Sequence, residues 1–167
     1  PARLAMMQGT HVRERQPVQG AVYALTVDVG GGDAPGCEGL PTADPRKDST
    51  VATMFAVDLD TCADPLIGAP TYRVVNRWRW TGGRHEELYA ALADIAATWD
   101  VQHVVVDATG LGGPLCEFLQ RRLGAGVVRG FTFTASSKSD LAWTFLALAG
   151  TGRYKEYARD GQADTDQ

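Results

Sequence analysis

The feature that most constrains the fold of this chain is the segment HVVVD at residues 103–107. A short, continuous run of valines favours a strand that is buried on both faces, as parallel strands inside a sheet are. Apolar residues recur at three- and four-residue steps on both sides of it, at residues 84–99 and 113–123, which predicts two amphipathic helices. The sequence therefore predicts a parallel strand whose flanking helices cover the sheet.

Other segments complete the order of the elements. Strands are predicted at residues 21–29, 50–58 and 71–80, ahead of the valine run, and a strand at 127–133 and a helix at 137–149 follow it. Three meandering strands followed by strand–helix units predict an α/β fold. We expect one mixed sheet, antiparallel in its first three strands and parallel afterwards, flanked by helices.

The third predicted strand alternates in a way that assigns side chains to faces. A period of two places one set on each face: Tyr72, Val74, Trp78 and Trp80 on the first, and Arg73, Val75, Arg77 and Arg79 on the second. We expect tryptophans in the core and arginines in water, because an antiparallel strand commonly has one wet face. Arginines close to tryptophans are also typical of a nucleic-acid surface.

The length of 167 residues fits one domain with one core. Residues 1–20 lack clean periodicity and are interpreted as a linker or lead-in segment, which leaves 21–167 as the domain. Residues 30–48 are rich in glycine and proline and predict a loop. No apolar run approaches the ~18 residues needed to span a bilayer, and the three cysteines show no CxxC spacing, so we expect neither a membrane protein nor a zinc ribbon.

Two aspartates close two of the predicted strands. Asp28 ends the first, Asp107 ends the valine run, and glycines follow both. Neighbouring strands lie ~4.8 Å apart, so the carboxylates would be side by side if these strands pair. Two such charges repel by roughly 4 kcal/mol at 4 Å and an effective dielectric of about 20, which a divalent cation offsets. Oxygen ligands favour Mg²⁺ or Mn²⁺, and carboxylates that hold two such ions catalyse phosphoryl transfer. An aspartate after a strand is also a common turn former.

Several segments together resemble the nuclease domain of phage large terminase subunits, which has a ribonuclease-H-like fold. They are VDVGGG at 27–32, DST at 48–50, VVVDATGLGGPLCEFL at 104–119, VRGFTFTASSKSDL at 128–141 and LALAGTGRYK at 146–155. The resemblance implies a domain that cuts concatemeric viral DNA with two Mg²⁺ or Mn²⁺ ions. It implies Asp28 as the catalytic aspartate of the first strand and Asp107 as the second acidic ligand.

The resemblance carries further expectations. The family has a third carboxylate on a later helix, which we expect beyond Gln167; Asp160, Asp164 and Asp166 are the late acids in this chain. It implies double-stranded DNA as substrate, and as partners an ATPase motor in the same parent chain, a small terminase subunit and a portal, in the cytoplasm of a host bacterium. Lys138 lies where the family has a lysine and is a candidate for DNA contact, as are Arg77 and Arg79. Asp48 is a second-rank candidate for metal binding.

Two alternatives remain open. An ATP-binding domain of the actin and sugar-kinase type also has a first-strand aspartate before glycines and a later D-x-T-G turn, here at 107–110. A nuclease-like module that docks DNA or protein without cutting is the second. Two aspartates supply about -2 against +4 from two ions, which predicts weak metal binding and poor activity unless a third acid is present.

Overall fold

The computed structural model describes residues 2–30, 49–81, 84–110 and 112–158, and the backbone of 165–166. The loop predicted at 30–48 lies almost wholly outside the described residues, as does Asp48. Asp160 and Asp164 lie outside them as well, and the side chain of Asp166 is not described.

In the described residues, seven strands form one mixed sheet in the order β5-β4-β1-β2-β3-β6, and β7 also pairs with β3. The strands are β1 (Val22–Asp28), β2 (Ser49–Asp58), β3 (Thr71–Thr81), β4 (His103–Asp107), β5 (Val128–Phe131), β6 (Tyr154–Lys155) and β7 (Thr165–Asp166). β1, β2 and β3 are antiparallel to their neighbours in this set, whereas β4 is parallel to β1 and β5 to β4. The predicted mixed α/β sheet is therefore confirmed, within two residues at the ends of its five main strands.

Four helices accompany the sheet in the described part of the chain: α1 (Ala2–Met7), α2 (His85–Thr98), α3 (Gly112–Leu123) and α4 (Ala135–Gly150). A short 3₁₀ turn at Asp60–Cys62 follows β2. α2 and α3 lie where the hydrophobic periodicity predicts them, and α4 lies where a helix is predicted at 137–149. No helix in the described part of the chain is long and apolar enough to cross a membrane.

The core lies between the sheet and the pair α2 and α3. Leu25, Met54 and Val104 come from three strands and are fully buried against Leu92 of α2 and Leu115 of α3. Because side chains alternate along a strand, the residues between these point to the opposite face of the sheet. We call that opposite face the site face.

A β-bulge in β3 corrects one prediction. Met54 pairs with Asn76 while Phe55 pairs with Val74, so Val75 is an extra residue in the ladder. An extra residue exchanges the faces on its two sides. Tyr72, opposite Val57, therefore does not share a face with Trp78, opposite Ala52, as the simple alternation predicts.

The consequences are limited to the first part of β3. Arg73 lies on the face opposite Arg77 and Arg79, and Val74 leaves the tryptophan face. Trp78 and Trp80 are buried as predicted, and Arg79 is exposed.

Residues before β1 contact the sheet. The Gly9 amide donates to the Glu156 carbonyl at 2.8 Å, and the Glu14 amide donates to the Val75 carbonyl at 2.9 Å. The His11 Nε2 atom lies 2.8 Å from the Val74 carbonyl oxygen. These bonds cover the outer side of β3 at its bulge, next to β6. The assignment of residues 1–20 as a linker stays a prediction.

Candidate metal centre

Asp28 and Asp107 occupy equivalent positions on adjacent parallel strands. β1 and β4 pair from Ala24 with His103 to Val27 with Val106, so the next step along both strands brings Asp28 beside Asp107. The strands are ~4.8 Å apart there. β1 and β4 are therefore neighbours, as the predicted pairing of the two carboxylates requires.

Both carboxylates line one cavity of about 590 Å³. Thr26 and Thr53, which pair across β1 and β2, lie on its floor, and Phe131 and Leu141 of β5 and α4 close one side. The cavity lies on the site face, opposite the core. A space of this size beside two acids has room for hydrated cations and for part of a substrate.

The turn after β4 holds the Asp107 carboxylate. The Thr109 amide donates to Asp107 Oδ1 at 2.9 Å. Asp107 thus forms a turn, as aspartates at this place commonly do. A carboxylate has about four lone-pair positions, so one hydrogen bond does not prevent it from binding a cation.

The start of α3 fixes the position of Asp107 by close backbone packing. A Cβ atom placed on Gly112 would be 1.6 Å from the Asp107 carbonyl oxygen, whereas one on Gly113 would meet only the Ala108 carbonyl oxygen at 3.8 Å. Gly112 is therefore required for this approach of helix to strand. Of the glycines after Asp107, Gly112 thus serves close packing.

Asp28 is more exposed than Asp107. After β1 the Gly30 amide donates to Oγ1 of Thr50 at 3.1 Å, and Thr50 is buried. This bond fixes the chain just beyond Asp28 against β2. Asp28 and Asp107 thus each end a strand, and a hydrogen bond to a side chain holds the chain just beyond each of them.

The described residues supply only part of a metal-ligand set. No group of three or more His, Cys, Asp or Glu among them could hold an ion. Two carboxylates with no sulfur or imidazole ligand fit a hard cation such as Mg²⁺ or Mn²⁺ better than zinc. A third acid remains an expectation outside the described side chains.

The three candidate DNA-contact residues differ in their surroundings. Arg79 is exposed and pairs with Val51, which in turn pairs with Asp28. Arg77 instead reaches Glu156, with its Nη2 atom 3.2 and 3.3 Å from the two carboxylate oxygens. The Lys138 ammonium lies 5.7 Å from the centre of the Phe133 ring.

Tyr154 extends the contacts of Arg77. Its hydroxyl donates to Glu156 Oε1 at 2.5 Å, and burial and then this hydrogen bond raise the pKa of Tyr154. The tyrosine is therefore neutral at physiological pH and acts as a donor. Arg77 also donates from Nε to Thr53 Oγ1 at 3.3 Å, so this network touches the cavity floor.

Sequence reasoning did not single out Thr26, Thr53, Phe131 and Phe133, which all line the cavity. Thr26 could have been identified from the sequence, because a residue two positions before Asp28 lies on the same face of the strand. The other three could not, since their proximity to the two aspartates depends on the order of the strands in the sheet.

The sequence matches no protein-family profile and no curated protein. The fold, however, is similar to solved terminase structures. The large terminase nuclease from thermophilic phage G20c with bound magnesium matches with a TM-score of 0.66 and 17% identity, over 96% of this chain and 74% of that chain. The nuclease domain from Thermus phage P74-26 matches with a TM-score of 0.61 and 15% identity, over 96% and 72%.

The HK97 bacteriophage large terminase matches with a TM-score of 0.56 and 10% identity, over 93% of this chain and 33% of that one. The G20c nuclease has also been crystallised with bound zinc and with bound cobalt. At these identities the similarity establishes the fold. The predicted resemblance to large terminase nucleases is thus confirmed at the level of the fold.

Proposed function

We propose that this chain is a metal-dependent DNA endonuclease domain of a viral DNA-packaging terminase. One observation carries the proposal: Asp28 and Asp107 lie at the same register position on adjacent parallel strands and open into one cavity. The similarity in fold to terminase nucleases, one of them crystallised with magnesium, supports the same conclusion.

The two carboxylates would hold divalent cations, Mg²⁺ or Mn²⁺. When bound, such ions supply a nucleophile at neutral pH and stabilise the charge that develops on the phosphate. Asp28 and Asp107 would position these ions, and the hydrogen bond from the Thr109 amide keeps the Asp107 carboxylate in one position. Water would attack the phosphorus in line and release a proton to solvent, the P–O3′ bond would break, and the 3′ oxygen would take a proton from solvent. The products are a 3′-hydroxyl and a 5′-phosphate.

The test is cleavage of supercoiled plasmid in Mn²⁺ by wild type, Asp28→Asn and Asp107→Asn. We expect either substitution to lower the cutting rate at least 100-fold, because each removes a charged ligand. Asp94→Asn, an exposed change on α2, serves as the matched control and should cut like wild type. Equal cutting by wild type and Asp107→Asn would refute the proposed site.

A catalytically incomplete docking module is the second candidate. It is favoured by the absence, among the described side chains, of a third acid close to the pair. DNA binding that is unaffected by Mn²⁺, together with no cutting, would support this alternative. ATP binding without Mn²⁺-dependent cutting would instead support the domain of the actin and sugar-kinase type.

The wider biological context belongs to the same proposal. It includes double-stranded DNA as substrate, the ATPase motor in the same parent chain, the small terminase subunit and the portal as partners, and the cytoplasm of the host bacterium as location. A third acidic ligand, outside the described side chains, completes it.

A further inference from the structure

Pairing across the sheet places five residues in one row at the carboxyl ends of the parallel strands. From β5 to β3 the row is Phe131, Asp107, Asp28, Val51 and Arg79. Two strand spacings separate Arg79 from Asp28, a distance of about 10 Å between their backbones. An exposed cation thus lies on the β3 side of the carboxylate pair, on the same face.

Lys138 lies on the other side of the pair. β5 leads into α4 through Phe133, whose amide donates to Thr109 Oγ1 at 3.4 Å, next to the turn that holds Asp107. Phe133 lines the same cavity as both aspartates, and the Lys138 ammonium lies over its ring. A capping box between Thr134 and Ser137 fixes the first turn of α4, which carries the lysine.

Arg77 differs from these two cations because its guanidinium is bound to a carboxylate, that of Glu156, and its side chain is only 26% exposed. Arg79 also has a hydrogen bond, from Nε to Ser49 Oγ at 3.1 Å, but that partner is neutral and the arginine is exposed. A guanidinium bound to a carboxylate is less free to bind phosphate, so among the three candidates Arg77 fits a role in stability.

We infer that the DNA backbone crosses the strands along this row, and that Arg79 and Lys138 bind phosphates on opposite sides of the phosphodiester that is cut. The inference rests on the proposed endonuclease function and adds the direction in which the DNA backbone crosses the sheet. Phosphates of one strand advance about 3.4 Å per nucleotide along the duplex axis, and the spacing along the backbone itself is longer. A separation of about 10 Å therefore places the Arg79 contact within about three nucleotides of the cut, on one side only.

The test uses long duplexes with one patch of three neutral methylphosphonate linkages, and maps the cuts around it. Wild type should cut less at positions within about three nucleotides on both sides of the patch, because either cation then faces a neutral linkage. In Arg79→Gln the reduction should remain on one side only, and in Lys138→Gln on the opposite side only. Arg122→Gln, at the far end of α3, is the charge-matched control and should resemble wild type.

Binding measured by fluorescence anisotropy provides a second arm that needs no cutting. Arg79→Gln and Lys138→Gln should each lower the slope of log K against log salt by about 0.9, the value for one phosphate contact. The double variant should lower it by about twice that, and Arg122→Gln should leave it unchanged.

If Arg79→Gln and Lys138→Gln both restore cutting on the same side of the patch, the inference is wrong, although the endonuclease function stands. Unchanged salt slopes would also overturn it. Absence of cutting by wild type, combined with the expected slopes, would refute the endonuclease and retain the two phosphate contacts.

Discussion

Replacing Gly112 with alanine is the sharpest perturbation of the candidate site that leaves its charges untouched. The added Cβ would be 1.6 Å from the Asp107 carbonyl oxygen. Ordinary contacts of this kind are 3.4 Å or longer, so the helix start and the strand end must separate by about 2 Å. Overpacking of this type typically costs about 1–3 kcal/mol, of which the better helix propensity of alanine recovers up to about 1 kcal/mol.

We therefore expect Gly112→Ala to lower the free energy of unfolding by about 1–2 kcal/mol in urea titrations. Because displacement of a catalytic group by 1 Å can cost about 100-fold in rate, Mn²⁺-dependent cutting should fall by that order. Gly113→Ala is the matched control: its Cβ would lie 3.8 Å from the Ala108 carbonyl oxygen, an ordinary contact, so the change should be neutral or stabilising. Wild-type stability and cutting in Gly112→Ala would refute the idea that close packing positions Asp107.

Three further outcomes follow from the same structure. Mn²⁺ at ten times its dissociation constant should stabilise the protein by about 1.4 kcal/mol in thermal melts. Asp28→Asn and Asp107→Asn should each lose this stabilisation. Tight binding of two ions in calorimetry would contradict the weak affinity predicted for two carboxylates. Arg77→Met should cost about 1 kcal/mol or less in urea, because its pairing with Glu156 is partly exposed, and no change at all would show that the pair is not stabilising. Because the pKa of Tyr154 is raised on folding, the contribution of its neutral hydroxyl to stability is present below pH ~10 and is lost as pH rises further. Tyr154→Phe should therefore flatten the decline of the urea midpoint between pH 9 and 11. An unchanged decline would contradict the raised pKa of Tyr154.

Local pattern was sufficient for most of the elements. β-rich composition, a valine run and period-two alternation identified β1 to β5, steps of three and four identified α2 and α3, and a mostly apolar segment identified α4. These signals are local because a strand or helix exposes its buried face at a fixed spacing. The bulge at Val75 escaped them, because an extra residue in a ladder is defined by the partner strand.

The candidate site divides along the same line. The sequence alone determined that Asp28 and Asp107 each end a strand and precede glycines, since strand patterns and turn residues are short-range features. Only the tertiary structure decided that β1 lies next to β4, because pairing depends on long-range packing of the sheet on α2 and α3. It likewise separated Arg79 from Arg77: alternation places both on one face, but Glu156, far along the chain, is bound to Arg77 alone of the two. Which cations remain to meet a substrate is therefore a property of the folded chain.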